Sequence, residues 1–132
     1  MAILLGLDLA SVPRVATALE RFGERFLARV FVDGEINRAR RHPRAFAEHV
    51  AGRFAAKEAA MKALGTGWRG VAFREIAVRR DARGKPRLEF SGRALARAKA
   101  LGVVEMELSI THTADLAAAV VALVTDDARR ER

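Results

Sequence analysis

Two acidic residues and a lysine have the types and spacing that chemistry on phosphate groups requires. Asp8 interrupts an apolar run, where an ionised carboxylate costs several kcal/mol to bury unless it is paired, hydrogen-bonded or bound to a metal. Glu58 and Lys62 are four residues apart, so they share one face of a helix. The pattern is compatible with a metal site and a phosphate contact, but the spacing alone does not decide for them. A salt-bridged or helix-capping Asp8 and an exposed Glu58–Lys62 ion pair are the structural alternatives.

Polar turns supply three further candidates. His112 ends an apolar stretch and begins a turn, where a histidine is either a site residue or a hydrogen-bonded structural residue. Gly65 and Thr66 belong to a Gly-Thr-Gly turn whose backbone amides can face a phosphate. The sequence contains no zinc-type spacing of histidines and no serine–histidine–acid arrangement, so neither of those chemistries is indicated.

Helices and strands in the first half of the chain must position these side chains. Residues 2–9 predict a buried first strand. A serine that can cap free amides and a proline that tolerates the first turn predict a helix over residues 11–23. Polar and basic residues 35–41 predict a short helix. The longest helix begins at Pro43 and ends in the Gly-Thr-Gly turn, where glycine is a suitable C-cap.

The second half of the chain predicts mostly strands, separated by one alanine-rich helix over residues 92–102. The strands are residues 71–80, 86–90, 104–111 and 116–124, and the first two flank a hairpin turn. This order predicts a compact, single α+β domain with a mainly antiparallel sheet packed on the long helix. We expect the domain to comprise residues 1–125 and a flexible tail to follow at residues 126–132.

The charge balance is strongly basic. Lysines and arginines number 24 against 16 acidic residues, which gives a formal net charge of +8. Such a surplus favours an anionic partner, either nucleic acid, a phosphate-rich cofactor, an acidic protein or a membrane surface. Cysteine is absent, and no apolar run approaches the roughly 20 residues that a membrane helix needs. These features predict a cytoplasmic protein without membrane attachment.

Three segments together resemble the holo-acyl carrier protein synthase family, the small bacterial-type 4'-phosphopantetheinyl transferases. They are Gly-Leu-Asp-Leu at residues 6–9, Phe-Ala-Ala-Lys-Glu-Ala continuing to Gly-Thr-Gly at residues 54–67, and Ser-Ile-Thr-His-Thr at residues 109–113. Their order, their spacing and the chain length extend the resemblance over essentially the whole chain, and the middle segment is the most specific. The family usually has serine where Thr111 stands, and both side chains carry a hydroxyl.

The resemblance implies an enzyme of fatty acid biosynthesis that moves 4'-phosphopantetheine from coenzyme A to a serine of an acyl carrier protein. It implies a homotrimer with active sites at the subunit interfaces, and Mg²⁺ bound by Asp8 and Glu58 beside a catalytic Lys62. Mg²⁺ suits this set because one or two carboxylates plus substrate phosphates and water usually hold it. The base for the serine proton is either Glu58 or a metal-bound water or hydroxide. The implied coenzyme A site comprises Lys62, Gly65, Thr66, His112 and Thr113, with Arg44 and Arg53 as further candidates.

The first helix is implied as the docking surface for the carrier protein. Arg14, Arg21 and Arg25 are separated by seven and four residues, so they fall along one side of a helix if the helix extends that far. A basic stripe beside apolar residues suits docking on an acidic amphipathic helix. An ordinary solvated helix face is the structural alternative.

Two other functions are consistent with parts of the sequence. A basic nucleic-acid-binding module without catalysis would use the net charge. Aromatic residues are only 6% of the chain and tyrosine is absent, however, which leaves no cluster for base stacking and no reason for Asp8. A catalytically silent homologue acting as an assembly partner would not need Asp8, Glu58, Lys62 and His112. The sequence therefore favours the transferase, with no nucleic acid or membrane partner.

Overall fold

The structure is a computed structural model that describes residues 1–131. Helices and strands follow one another in the order β1 (Ala2–Ser11), α1 (Val12–Phe22), α2 (Glu24–Val30), α3 (Asn37–Arg40), α4 (Phe46–Leu64), α5 (Gly67–Gly70), β2 (Ile76–Arg80), β3 (Pro86–Phe90), α6 (Gly92–Leu101), β4 (Val103–His112) and β5 (Leu116–Thr125). Short 3₁₀ turns lie at Pro43–Ala45, Phe73–Glu75 and Asp127–Arg129. None of the helices within residues 1–131 combines the length and apolar character needed to cross a bilayer.

Two antiparallel sheets flank the long helix α4. The larger has the strand order β1-β5-β4, and the smaller is the β2–β3 hairpin. Helix α4 packs along β1 and β5, and its buried face is rich in alanine. The prediction of an α+β domain with a mainly antiparallel sheet on a long helix is therefore confirmed.

A glycine in β1 lets the strand and helix α4 meet closely. A Cβ atom on Gly6 would lie 1.7 Å from the carbonyl oxygen of Ala59, so only glycine fits against the helix backbone there. The neighbouring Ala55, Ala56 and Ala60 are fully buried, and their small side chains permit the same approach. This contact places Asp8, two residues after Gly6, directly beside the middle of α4.

In strand β1, buried and exposed residues alternate, but most of the large apolar side chains lie on the exposed face. Its even-numbered residues Gly6, Asp8 and Ala10 face α4 and are buried, whereas the apolar odd-numbered residues face away from the helix. Ile3, Leu5, Leu7 and Leu9 are each at least 60% exposed. The prediction of a buried first strand is therefore wrong for one face, because α4 covers only one side of the sheet and nothing in the described chain covers the other.

Three predicted boundaries differ from the structure. The first helix ends at Phe22 because Gly23 has a φ of +50°, and a separate helix, α2, follows. The strand predicted over residues 71–80 begins only at Ile76, because residues 73–75 form a 3₁₀ turn. The long helix predicted from Pro43 begins at Phe46, after the 3₁₀ turn at Pro43–Ala45. In the expected tail, the Asp126 amide donates a hydrogen bond to the carbonyl of Gly102, the C-cap of α6, and the Glu131 amide donates one to the carbonyl of Ala100 in α6. The flexibility of residues 126–132 remains a prediction.

Candidate active site

Helix α4 and strand β1 bring Asp8, Glu58 and Lys62 together. Lys62 projects from the last turn of α4, and its Nζ donates hydrogen bonds to Asp8 Oδ1 at 2.9 Å and to the Leu7 carbonyl at 3.0 Å. The Asp8 side chain is only 10% exposed, whereas Lys62 is largely open to solvent. Because the Lys62 ammonium group is hydrogen-bonded to Asp8 but also open to solvent, it can contact an anionic ligand from the solvent side.

The carboxyl groups of Asp8 and Glu58 lie within hydrogen-bonding reach of each other. Burial first, and then the adjacent Asp8, raise the pKa of Glu58 from 4.5 to about 7. Asp8 Oδ2 is buried, and no donor in residues 1–131 reaches it. Two carboxylates in contact, with one oxygen lacking a partner, need either a shared proton or a cation between them.

This donor set fits Mg²⁺. No group of three or more histidine, cysteine or acidic residues converges within the described residues, so the pair would supply two protein ligands only. Mg²⁺ is commonly held in this way, with the remaining positions filled by water and substrate phosphates. The buried Asp8 oxygen and the neighbouring Glu58 carboxyl are therefore suitable ligands for that ion, a role that stays a prediction.

A cavity of about 370 Å³ opens beside Glu58. Its walls combine the end of β1, one face of α1, and the rings of Phe26 and Phe54. Arg14 and Ser11 line the same cavity, so a docking residue predicted on α1 lies next to a predicted metal ligand. A polar chain end entering here would meet carboxylates at one side and apolar walls at the other.

A second, strongly basic cavity of about 190 Å³ lies nearer the N-terminal end of α4. It is lined by Arg38, Ala39, His42, Ala45, His49, Arg53 and Arg80, and we call it the basic cleft. Arg53 is 5% exposed, and its Nε finds no acceptor in the part of the chain that the structure describes. Burial and then the charge of Arg80 lower the pKa of Arg53, and burial and then Arg53 lower the pKa of His49. In this cavity the protonated forms of Arg53 and His49 are destabilised, and an anion bound among them would stabilise those forms.

His112 belongs to this second cluster. Its Nδ1 lies 2.9 Å from Glu48 Oε2, and its ring centroid lies 5.3 Å from that of His49. The strand that carries His112 is separated from the strand that carries Asp8 by β5, which places them about 10 Å apart across the sheet. Within one chain, the structure therefore does not bring His112 to the Asp8–Glu58 pair.

The remaining predicted site residues occupy different surroundings. Gly65 caps α4 with a φ of +74°, and the buried Thr66 Oγ1 has no partner within residues 1–131. Thr113 Oγ1 accepts hydrogen bonds from the amides of Asp115 and Leu116, so its hydroxyl shapes the turn before β5. Arg44 is exposed on the 3₁₀ turn that precedes α4.

The docking stripe is divided between two helices. Arg14 and Arg21 lie on α1, but Arg25 lies on α2, because the chain turns at Gly23. All three arginines are exposed. The first helix does not extend to Arg25, so the condition for one continuous helical stripe is not met, and docking on these arginines stays a prediction.

Sequence reasoning missed most of the basic cleft. His49 and Arg53 are four residues apart on α4, a spacing that could have indicated a shared face. Arg38 and Arg80 come from α3 and from the end of β2. Their approach to Arg53 depends on long-range packing and has no local signal.

A buried ion pair lies beside the basic cleft and was also missed. The side chains of Lys57 and Glu35 are fully buried, and Lys57 Nζ lies 2.9 Å from Glu35 Oε1. Burial lowers the pKa of Lys57 to about 8, with Glu35 opposing the shift, so the ammonium remains protonated at neutral pH.

The fold and the two sites define a class of small α+β proteins equipped to bind a polyanionic ligand: a carboxylate pair with a lysine at one end of a helix, and an arginine-rich cleft at the other. The chain belongs to the 4'-phosphopantetheinyl transferase superfamily, whose family model matches residues 4–121. The resemblance inferred from the sequence is thereby confirmed.

Within this superfamily, the chain is similar to proteins named holo-[acyl-carrier-protein] synthase. The holo-[acyl-carrier-protein] synthase of Solidesulfovibrio magneticus is 51% identical over 120 residues, covering 90% of this chain and 95% of the relative. The crystal structure of the Neisseria meningitidis enzyme of the same name has a TM-score of 0.81 at 34% identity and covers 92% of this chain and 97% of that one. The Helicobacter pylori enzyme of that name, solved in complex with coenzyme A, has a TM-score of 0.79 at 28% identity, covering 91% and 99% of the two chains.

Proposed function

We propose that this protein transfers the 4'-phosphopantetheine group of coenzyme A to a serine hydroxyl of an apo-acyl carrier protein, releasing adenosine 3',5'-bisphosphate. The observation that carries the proposal is the carboxylate pair of the buried Asp8 and the partly buried Glu58, which leaves one Asp8 oxygen unpartnered beside the cationic Lys62. Membership of the superfamily and the names of the relatives support the same reaction.

The transfer forms a bond from the serine oxygen to phosphorus and breaks a phosphorus–oxygen bond of the coenzyme A diphosphate. Mg²⁺ held by Asp8 and Glu58 would offset the negative charge of the diphosphate and of the departing bisphosphate. Lys62 is anchored by Asp8, so its ammonium group is oriented toward the same phosphates. Glu58 lines the cavity beside the carboxylate pair, so it is the group of this chain that we propose to accept the serine proton.

Coenzyme A carries a third phosphate, at the 3' position of its ribose, which needs its own binding group. The basic cleft supplies one, since the buried Arg53 and the neighbouring His49 and Arg80 have no nearby acidic partner that fully offsets them. His112 lies at the edge of this cleft. We therefore assign the 3'-phosphate to the basic cleft and the diphosphate to the Asp8–Glu58–Lys62 group.

We propose that the active protein is a homotrimer in which one chain's carboxylate pair faces another chain's basic cleft. The exposed apolar face of β1 and the exposed Leu116 and Val120 of β5 support self-association, because a patch of this kind is rarely left in water. The separation of His112 from Asp8 within one chain supports a site shared between chains. Light scattering tests the assembly: a monomer at assay concentration contradicts it.

We propose that the carrier protein docks on α1 and the start of α2. Arg14, Arg21 and Arg25 are exposed there, and Arg14 also lines the cavity beside Glu58. An acidic carrier held at these arginines would present its serine at the mouth of that cavity.

The test is incubation of the protein with coenzyme A, Mg²⁺ and a purified apo-carrier protein, followed by mass spectrometry of the carrier. We expect a mass gain of one 4'-phosphopantetheine group, its loss when Mg²⁺ is chelated, and its loss in Asp8→Ala with the circular dichroism spectrum retained. Glu105→Gln removes an exposed carboxylate from β4, away from the proposed docking surface, and serves as the matched control. A nucleic-acid-binding module would leave the mass of the carrier unchanged.

A further inference from the structure

The buried pair of Lys57 and Glu35 joins three separate segments of the chain. Lys57 Nζ uses all three of its donors: one on Glu35, one on the Phe73 carbonyl at 3.1 Å and one on the Ile76 carbonyl at 2.6 Å. It also lies 5.0 Å from the centre of the Phe31 ring. A single ammonium group therefore ties helix α4 to the loop before α3 and to the turn that leads into β2.

Glu35 completes the connection from its side. Its Oε1 accepts a hydrogen bond from the Val32 amide at 3.1 Å, and its Oε2 accepts one from the Val78 amide at 2.8 Å. Together with Lys57, the carboxylate fixes the backbone of the loop and of β2 by directional hydrogen bonds. Apolar packing would hold these segments close but would not set their relative position within such narrow limits.

The segments that this pair joins are those that carry the arginines of the basic cleft. Arg38 lies three residues after Glu35, Arg80 lies two residues after Val78, and Arg53 lies one helical turn before Lys57. A further cavity of about 180 Å³, lined by Gly34, Glu35, Arg38, Arg53, Val78, Arg79 and Arg80, adjoins the basic cleft. Glu35 is the only carboxylate among the lining residues of either cavity.

We propose that the Lys57–Glu35 ion pair positions Arg38, Arg53 and Arg80 for recognition of the 3'-phosphate of coenzyme A. The three arginines repel one another, and they come from different elements of the fold, so some device must hold them together before the anion arrives. The ion pair is that device. It rests on the proposed function, because it takes the 3'-phosphate as the ligand of the cleft, and neither member of the pair touches the substrate.

The test uses the double variant Lys57→Met, Glu35→Gln in the full chain. Both charges are removed together, since a single substitution would leave an unpaired buried charge and destabilise the protein. We expect the Kd for 3',5'-ADP, measured by calorimetry, to rise about tenfold, as for loss of one well-placed charged contact, while the Kd for 5'-AMP stays unchanged. In transfer assays, KM should rise for coenzyme A but not for 3'-dephospho-coenzyme A, and kcat should change less than KM.

The control is the double variant Lys85→Met, Glu107→Gln. It removes an exposed ion pair, with Lys85 Nζ 2.7 Å from Glu107 Oε2, whose residues do not line the cleft, so both Kd values should stay unchanged. Equal weakening of 3',5'-ADP and 5'-AMP, or an unchanged Kd for 3',5'-ADP, overturns the proposal. If the double variant does not fold, Glu35→Asp keeps both charges but shortens the reach, and an unchanged preference for 3',5'-ADP over 5'-AMP again overturns it. A wild-type protein that transfers nothing refutes the proposed function instead, so the two failures are distinct.

Discussion

Replacing Glu58 with glutamine should stabilise the metal-free protein above neutral pH, although it removes a proposed metal ligand. In the folded protein the pKa of Glu58 is raised from 4.5 to about 7 by burial and by Asp8. Between those two pH values the folded state therefore keeps a proton that the unfolded state releases. The free energy of unfolding must fall as the pH rises through this window, and the loss is complete above pH 7. Glutamine carries no titrating proton, so Glu58→Gln lacks this loss.

The size of the effect follows from the same values. A pKa raised from 4.5 to about 7 corresponds to at most about 3 kcal/mol of unfolding free energy. Glu58 is only partly buried, so solvent screening reduces this to about 1–2 kcal/mol. For a domain of this length, that difference shifts Tm by about 4–8 °C.

Thermal unfolding followed by circular dichroism, in the presence of a chelator, measures this difference. Wild type and Glu58→Gln should have similar Tm values below pH 4.5, diverge between pH 4.5 and about 7, and keep the full difference at higher pH, with the variant more stable. The control Glu20→Gln should follow wild type throughout. Mg²⁺ should then stabilise wild type at high pH more than the variant, because the ion takes the place of the shared proton. Parallel curves for wild type and Glu58→Gln would refute the assignment of the two carboxylates as a coupled pair.

Three further outcomes follow from the geometry. Arg14→Glu should raise KM for the carrier protein in low salt by about tenfold, because a repulsive charge replaces an attractive one, while KM for coenzyme A stays unchanged. A variant whose KM for the carrier equals that of wild type would contradict docking on α1. Burial and Arg53 lower the pKa of His49, and this pKa should rise when 3',5'-ADP binds, because the anion offsets the neighbouring cations. An NMR titration measures it, and a His49 pKa that falls or stays constant would place the phosphate elsewhere. Gly6→Ala should lower the free energy of unfolding by about 1–3 kcal/mol, since the new Cβ would clash with the Ala59 carbonyl. Denaturant titrations measure this change, and an unchanged free energy of unfolding would contradict the close contact of β1 with α4.

Local signals in the sequence were sufficient for the class of fold and, together with the family resemblance, indicated the residues of the proposed metal site. Helix α4 was recognisable because the proline of the 3₁₀ turn that precedes it, its glycine C-cap and its length are encoded within one continuous segment. The hairpin of β2 and β3 was recognisable from its turn residues. Asp8 and Glu58 were singled out because a carboxylate in an apolar run and an acid–lysine pair at helical spacing are local features.

Only the tertiary structure decided which of these residues meet. Asp8 and Glu58 are 50 residues apart, and their contact depends on Gly6 packing against Ala59. The basic cleft and the Lys57–Glu35 pair draw on α3, α4 and β2, whose mutual approach no local period encodes. The same limit explains the misjudged strand β1: alternation reveals that a strand has two faces, but the elements packed around it decide which face is covered.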